Sequence, residues 1–249
     1  VILVTGGTGT LGRPIVNRLR NDGRDVRVLS RRAGPGRIVG DLTTGNGIRD
    51  ALAGVDTVLH LATASGPGDA AATRILLAAA ADAGVSHLIY ISIVGIDDIP
   101  LAYYREKVEC ERMIVAARMP HTILRATQFH DLVATIFTAQ RYSPVLFAPS
   151  ISVQPIAATE VGTRLIELAD GAPVGRVEDI GGPERMTGRE LATAWNEATG
   201  SRRAVWPLHL PGKTFQAFAA GHNLVQGEPY GRVTFAEFLA ERLGDAGKR

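Results

Sequence analysis

Gly6, Gly9 and Gly12 fall at the spacing G-x-x-G-x-x-G between an apolar, β-branched run at residues 1–5 and a helical pattern at residues 14–21. In that pattern Ile15, Val16 and Leu19 share one face. Pro14 suits a first helical turn, where a missing N–H is harmless, and Asn21-Asp22-Gly23 ends the helix. A strand that passes through glycines straight into a helix must reverse where a Cβ has little room. It also leaves the free N–H groups and positive dipole end of that helix at the turn. Such a place holds a phosphate, and the hydroxyls of Thr8 and Thr10 add donors beside Leu11.

The pattern then repeats. Strands are predicted at residues 25–30, 37–39, 55–62, 87–92 and 121–125, and helices at 47–53, 70–83 and 103–117. Strand–helix alternation of this kind implies a parallel sheet covered on both faces, joined by right-handed crossovers. The expected fold is therefore α/β, a doubly wound Rossmann sheet, with residues 1–126 as the NAD(P)-binding core. Residues 127–249 are expected to form a small C-terminal substrate-binding part within one compact unit. They include a returning core strand near 177–180 and helices at 160–169, 188–199 and 235–243. No clean period marks residues 127–155, and the Gly- and Pro-containing stretch 201–231 is expected to be the flexible region.

In this context the glycine turn points to the pyrophosphate of a nicotinamide dinucleotide. The end of the second predicted strand bears on which one. An acidic residue there would bind a ribose 2′-hydroxyl, but the chain has Ser30-Arg31-Arg32. Two guanidiniums and a hydroxyl suit a 2′-phosphate, so NADP(H) is favoured, with NAD(H) as the alternative.

Composition narrows the rest. Lys and Arg number 27 against 25 Asp and Glu, with no long run of one sign, which argues against nucleic acid as a partner. The single cysteine, Cys110, precludes a disulfide framework and multi-cysteine metal sites; no metal is expected, because the histidines lack ligand spacing. No apolar run reaches the roughly 18 residues of a membrane span. No signal sequence is expected ahead of the first strand. A cytoplasmic location is expected, with a few more residues upstream of Val1.

The chain resembles the NmrA-like, atypical branch of the short-chain dehydrogenase/reductases over nearly its whole length. The resemblance is carried by Thr5-Gly6-Gly7-Thr8-Gly9-Thr10-Leu11-Gly12 and Tyr103-Tyr104-Arg105-Glu106-Lys107. Val39-Gly40-Asp41-Leu42, Leu59-His60-Leu61-Ala62, Thr122-Ile123-Leu124-Arg125 and Asp179-Ile180-Gly181-Gly182-Pro183 support it. It implies Asp41 and Leu42 beside the adenine, Leu61, Ala62 and Thr63 along the cofactor, and Lys107 on the nicotinamide ribose.

Tyr103 and Lys107 form Y-x-x-x-K, an i,i+4 pair on one helix face. An ammonium beside a phenol favours the phenolate and makes the phenol a usable acid at neutral pH. Tyr103 is thus the candidate proton donor, or alternatively a packing residue beside a ribose-binding Lys107. One departure stands out. Catalytic members commonly carry Ser-Ser after the fifth strand, whereas this chain has Ile91-Ser92-Ile93. Ser92 is the candidate substrate-orienting hydroxyl; Ile93 cannot donate a hydrogen bond.

Ligands of open α/β sheets bind beyond the carboxyl ends of the strands, which brings forward Gln128 and His130 as polar anchors and Phe129 as an apolar wall. The plainer role for His130 is a loop histidine bonded to backbone. Aromatic residues in the second half, Trp206 among them, favour a planar hydrophobic ligand. The expected function is an NAD(P)-dependent oxidoreductase acting on a small hydrophobic, aromatic or quinone-like carbonyl. The alternatives are a non-catalytic NADP(H)-sensing regulator, or a cofactor-bound enzyme that isomerises, dehydrates or oxygenates an aromatic ligand.

Overall fold

Every residue of β1 (Ile2–Thr5) is buried, and a strand covered on both faces has to lie inside a sheet. It pairs in parallel with β2 (Val26–Ser30) on one side and β4 (Thr57–His60) on the other, so that Ile2 stands opposite both Val26 and Thr57. With β3 (Arg37–Val39), β5 (His87–Ile93), β6 (His121–Ala126) and β9 (Gly175–Arg176), these strands form a seven-stranded parallel sheet in the order β3-β2-β1-β4-β5-β6-β9. The order reverses between β1 and β4, which is where such sheets open a crevice.

The structure is a computed structural model that describes residues 1–63 and 67–246. The chain divides into two compact units. The first is Val1–Ile93, Leu101–Arg125 and Val161–Glu178; the second is Val94–Pro100, Ala126–Glu160 and Asp179–Arg249. In the first, α1 (Gly12–Asn21) buries Ile15, Val16 and Leu19 and turns its arginines outward. Helices α2 (Ile48–Leu52), α3 (Asp69–Asp82) and α4 (Ala102–Ala116) enclose a core that includes Leu3, Leu52, Val58, Leu76, Leu88 and Ile114. Each such side chain contributes about 1.5–3 kcal/mol on burial. A bidentate pair, Arg125 to Glu111 at 2.8 and 2.6 Å, is enclosed between β6 and α4. Among the described residues no helix is long and apolar enough to cross a membrane.

The second unit departs from the sequence expectation. Residues 127–155 contain α5 (His130–Ala139), β7 (Val145–Pro149) and β8 (Ser152–Val153), and the stretch expected to be flexible contains β11 (Ala204–Leu208) and α8 (Lys213–Ala219). β7 and β11 pair in parallel, setting Phe147 opposite Trp206. Helix α7 (Gly188–Thr199), opened by a capping box between Thr187 and Glu190, and α9 (Phe235–Ala246) close a core of Phe137, Leu146, Trp195, Phe235 and Leu239. The return strand expected at 177–180 lies earlier, at Gly175–Arg176, and Ile180 keeps a single bridge to Ala126.

A buried polar line ties β1 to β4 and the helices behind it. Thr5 Oγ1 accepts from the N–H groups of Leu61 and Ala62 at 3.2 and 3.1 Å. Its own hydrogen is therefore left for His60 Nδ1 at 2.8 Å. The ring proton then sits on Nε2 and faces Thr73 Oγ1 at 3.1 Å, and Thr73 donates to Cys110 Sγ at 3.3 Å. Burial, and next the Lys107 ammonium, push the His60 imidazole from 6.5 down to about 3, with Asp69 acting in the opposite sense.

Because the neutral ring is the native form, the unfolded chain binds protons more tightly between about pH 6.5 and about pH 3. Stability is expected to fall as the pH drops through that window, by up to about 1.4 kcal/mol per pH unit for this ring. Burial also lowers His87 and His130, so the comparison that isolates His60 is His60→Gln. The variant, followed by urea denaturation, should lose about 2 kcal/mol less stability than the parent between about pH 7 and pH 5. Equal losses would show that the ring is not held neutral.

Candidate functional site

The three glycines of the turn do different work. Gly6 has φ +69°, and a Cβ there would lie 2.7 Å from the main chain of Leu61 and Ala62. A Cβ on Gly12 would run into the Gly6 carbonyl oxygen and the Gly7 α-carbon. Folding alone demands both. Gly9 differs: it is exposed, its ordinary φ suits any residue, and a Cβ would meet only the Gly6 oxygen, at 3.3 Å. The Gly9 N–H donates to Gly6 O at 3.0 Å and the Arg13 N–H to Gly9 O at 3.1 Å, which fixes the turn against the helix start. No side chain caps the N-terminus of α1, and its first turn has no acidic residue. Thr8 and Thr10 are exposed beside it, while Leu11 is buried. A bare, uncapped helix end behind an exposed glycine fits a diphosphate.

Beside the turn lies a cavity of about 200 Å³ lined by Gly7, Thr8, Asn17 and three arginines, Arg13, Arg20 and Arg37. Among the described residues no acidic side chain lines it. Arg13 Nε donates to Thr8 O at 2.8 Å and Arg20 Nη2 to Gly36 O at 2.9 Å, leaving guanidinium edges for an anion. Arg31 and Arg32 are exposed on the turn after β2, where Ser30 Oγ accepts from the Arg32 N–H at 3.1 Å. The arginines gathered at the cavity were not the ones singled out in the sequence. They come from α1 and β3 and meet only in three dimensions.

At the end of β4, Leu61 and Ala62 stand against Gly6, and Thr63 follows them, exposed. Thr63 Oγ1 lies 2.9 Å from the Tyr103 hydroxyl and donates to Asp69 Oδ2 at 2.8 Å. Lys107 Nζ reaches the same carboxylate oxygen at 3.0 Å and is 5.1 and 5.5 Å from the ring centres of Tyr90 and Tyr103. Both partners of that pair are only 4% exposed. Removing one member of such a pair costs about 3–5 kcal/mol. From α4, Glu106 accepts the Gly68 and Ala70 N–H groups at 3.3 and 3.1 Å and so caps α3, which has no cap of its own. The structure thus unites Thr63, Tyr103 and Lys107 around Asp69, which the sequence reading missed. An Asp in the first turn of a helix reads as a dipole partner in solvent, and nothing local marks this one as buried.

The remaining candidates are placed as follows. Asp41 Oδ1 accepts from the Thr43 N–H at 2.8 Å in a tight turn, and Leu42 packs on the core of the first unit. Ser92 is buried in β5, and its Oγ has no hydrogen-bond partner among the described residues. Cys110 is fully buried, and burial pushes its thiol up.

In the second unit, Phe129 bridges to Ile156 and precedes α5. His130 donates from Nε2 to Val233 O at 3.0 Å and packs on Phe235 and Phe238 at ring distances of 5.7 and 5.1 Å. Burial lowers its pKa against the opposing effect of that hydrogen bond. Both side-chain polar atoms of Gln128 are shielded from solvent without a partner among the described residues. Trp206 is 61% exposed and edge-on to Phe147 at 6.3 Å.

Residues 6–162 match the profile of a family described as NAD(P)H-binding. The chain is 29% identical over 222 residues to a (4-alkanoyl-5-oxo-2,5-dihydrofuran-3-yl)methyl phosphate reductase of Streptomyces griseus, covering 80% of this chain and 74% of the relative. It is 27% identical over 213 residues to an NAD(P)H azoreductase of Xenophilus azovorans, again covering 80% and 74%. Among solved structures, an NADPH-dependent quinone oxidoreductase of Escherichia coli, complexed with NADPH, superposes with a TM-score of 0.83 at 18% identity. That match covers 98% of this chain and all of the other, and it shows a shared fold.

The division of labour among the glycines is testable. Gly12→Ala is expected to lower stability by several kcal/mol, about 3 or more, because the helix start must move. Gly9→Val should change the melting temperature by only a few degrees yet weaken NADPH binding at least about tenfold in calorimetry. A Gly9→Val protein that binds as tightly as the parent would mean that nothing approaches the turn.

Proposed function

This chain belongs to the NAD(P)H-binding family, and we propose that it works as an NADPH-dependent reductase of a small hydrophobic, aromatic or quinone-like carbonyl compound. The observation that carries this reading is the Tyr103–Lys107 pair, set with Thr63 at the end of β4, the strand end that packs against the glycine turn. The curated relatives named above are both reductases, and the fold match is to a quinone oxidoreductase.

Within that reading, the exposed amides of the turn and the Thr8 and Thr10 hydroxyls hold the diphosphate. Leu61, Ala62 and Thr63 form the wall at the end of β4, with Asp41 and Leu42 on the adenine side. Ser30, Arg31 and Arg32 were the sequence candidates for a 2′-phosphate. The cavity ringed by Arg13, Arg20 and Arg37 is the better built receptor, since three arginines and, among the described residues, no acidic one line it.

Nicotinamide, when bound, supplies the hydride. Tyr103 supplies the proton: its phenol O–H passes a proton to the oxygen being reduced, so that a carbonyl gains hydride at carbon and a proton at oxygen. Lys107 keeps a positive charge beside the phenol as it becomes phenolate. Ser92, with an unspent buried hydroxyl, is a further donor of the first unit. Gln128, with donor and acceptor both shielded and unspent, is the polar group of the second unit best suited to a ligand. His130 already uses Nε2 on Val233 O, and Trp206 offers an open aromatic face.

Purified protein should oxidise NADPH in the presence of quinones, azo dyes or aromatic ketones. Tyr103→Phe should lower kcat by about 10²–10⁴-fold while leaving the NADPH Kd within about threefold. Arg13→Ala or Arg37→Ala should weaken NADPH about tenfold or more and spare NADH, as expected for one lost charge-assisted contact. Full turnover in Tyr103→Phe would remove the proton-donor assignment. Tight NADPH binding with no oxidation across the panel would favour a sensor of the dinucleotide instead.

A further inference from the structure

We propose that Asp69 is a positioning residue for Tyr103, acting through Thr63 on one side and Lys107 on the other. This deepens the reductase reading and rests on it. A carboxylate only accepts, and a threonine hydroxyl has one hydrogen to give. Asp69 Oδ2 takes that hydrogen from Thr63 at 2.8 Å and a second one from Lys107 at 3.0 Å. Thr63 Oγ1 can then only accept from the Tyr103 hydroxyl at 2.9 Å. Asp69 Oδ2 thus receives one hydrogen from Thr63 and one from Lys107, and the Tyr103 hydrogen goes to Thr63 Oγ1. The phenol is held protonated with its hydrogen on Thr63, from which it must turn to a substrate oxygen before transfer, and that resting direction is set by a residue the phenol does not touch.

Charge makes the same point. An unaccompanied Lys107 ammonium, 5.5 Å from the centre of the Tyr103 ring, would pull the phenol strongly toward phenolate. Asp69 sets a negative charge 3.0 Å from that ammonium and keeps it at a fixed place beside the ring. Enclosing both charges at 4% exposure is unfavourable for folding compared with an apolar pair of similar size. A purely structural role for Asp69 needs neither the Thr63 hydroxyl nor the phenol beyond it.

The other groups around the cluster are the same in parent and variants. Tyr90 presents its ring to Lys107 from β5, and Tyr104 lies 6.3 Å from Tyr103 on α4. Glu106 on α4 is bonded to the start of α3. His60 on β4 and Cys110 on α4 feel the fields of Lys107 and Asp69.

The experiment is an ultraviolet difference titration, which needs neither cofactor nor substrate. The Tyr103 signal is the spectrum of each protein minus that of the same protein carrying Tyr103→Phe. In Asp69→Asn the Tyr103 midpoint should fall by about one pH unit, because a negative charge is lost while Lys107 remains. In Thr63→Ala it should fall by about half a unit, because the hydroxyl that accepts from the protonated phenol is gone. Asp69→Glu should restore most of the parent midpoint. NADPH Kd, measured in parallel, should stay within about threefold of the parent in Asp69→Asn and Asp69→Glu, while kcat drops about tenfold or more in Asp69→Asn.

Midpoints unchanged in folded Asp69→Asn or Thr63→Ala would overturn the proposal. So would a loss of NADPH binding as large as the loss of kcat, which would make Asp69 part of the cofactor cradle. If Asp69→Asn does not fold, Thr63→Ala decides alone, with an unmoved Tyr103 midpoint as the contrary result. A parent that binds no NADPH would instead count against the reductase reading and leave the titration result standing.

Discussion

The α-carbon of Gly6 rests against the main chain of Leu61 and Ala62, closer than any side chain would permit. That contact, with the Thr5 hydroxyl accepting both of the N–H groups that follow His60, locks the end of β1 to the end of β4. The order of the sheet reverses between those two strands, so the lock defines the mouth of the crevice. The glycine turn, the uncapped start of α1 and the Leu61–Thr63 wall all take their positions from it.

Behind this mouth the molecule keeps polar groups where an apolar core would be simpler. His60 lies in a closed line from Thr5 to Cys110 in which each hydrogen has one place to go. Asp69 and Lys107 form a second such group, also buried. The two communicate electrostatically, since Lys107 helps keep the His60 ring neutral. Such fully bonded buried groups hold side-chain geometry tightly.

The sequence was most legible where burial is complete and contacts are local. The first six strands and four helices were read close to their observed bounds because most of these strands are rich in apolar, β-branched residues and α1 has a clean apolar face. The Tyr103–Lys107 pair is a single helical turn, and the glycines are neighbours in the chain. The second unit resisted for the opposite reasons. β7 and β11 are five-residue strands far apart in sequence, and Phe147 and Trp206 face outward from them, so their composition signals neither a core nor an alternation that a short window can find. α8 buries no residue at all. Asp69 and the arginines at the cavity were illegible because their partners arrive from other elements. The broader family assignment stands on the profile match, while the likeness to the NmrA-like branch remains one of sequence pattern.

The central claim is that main-chain amides at the glycine turn receive a dinucleotide diphosphate. Hydrogen–deuterium exchange across residues 6–13, with and without NADPH, tests it directly. The account predicts marked slowing in that segment on NADPH addition, and the same slowing with NADH at higher concentration, since the diphosphate is common to both. Exchange at residues 6–13 left unaltered by saturating NADPH, with protection appearing elsewhere, would contradict it.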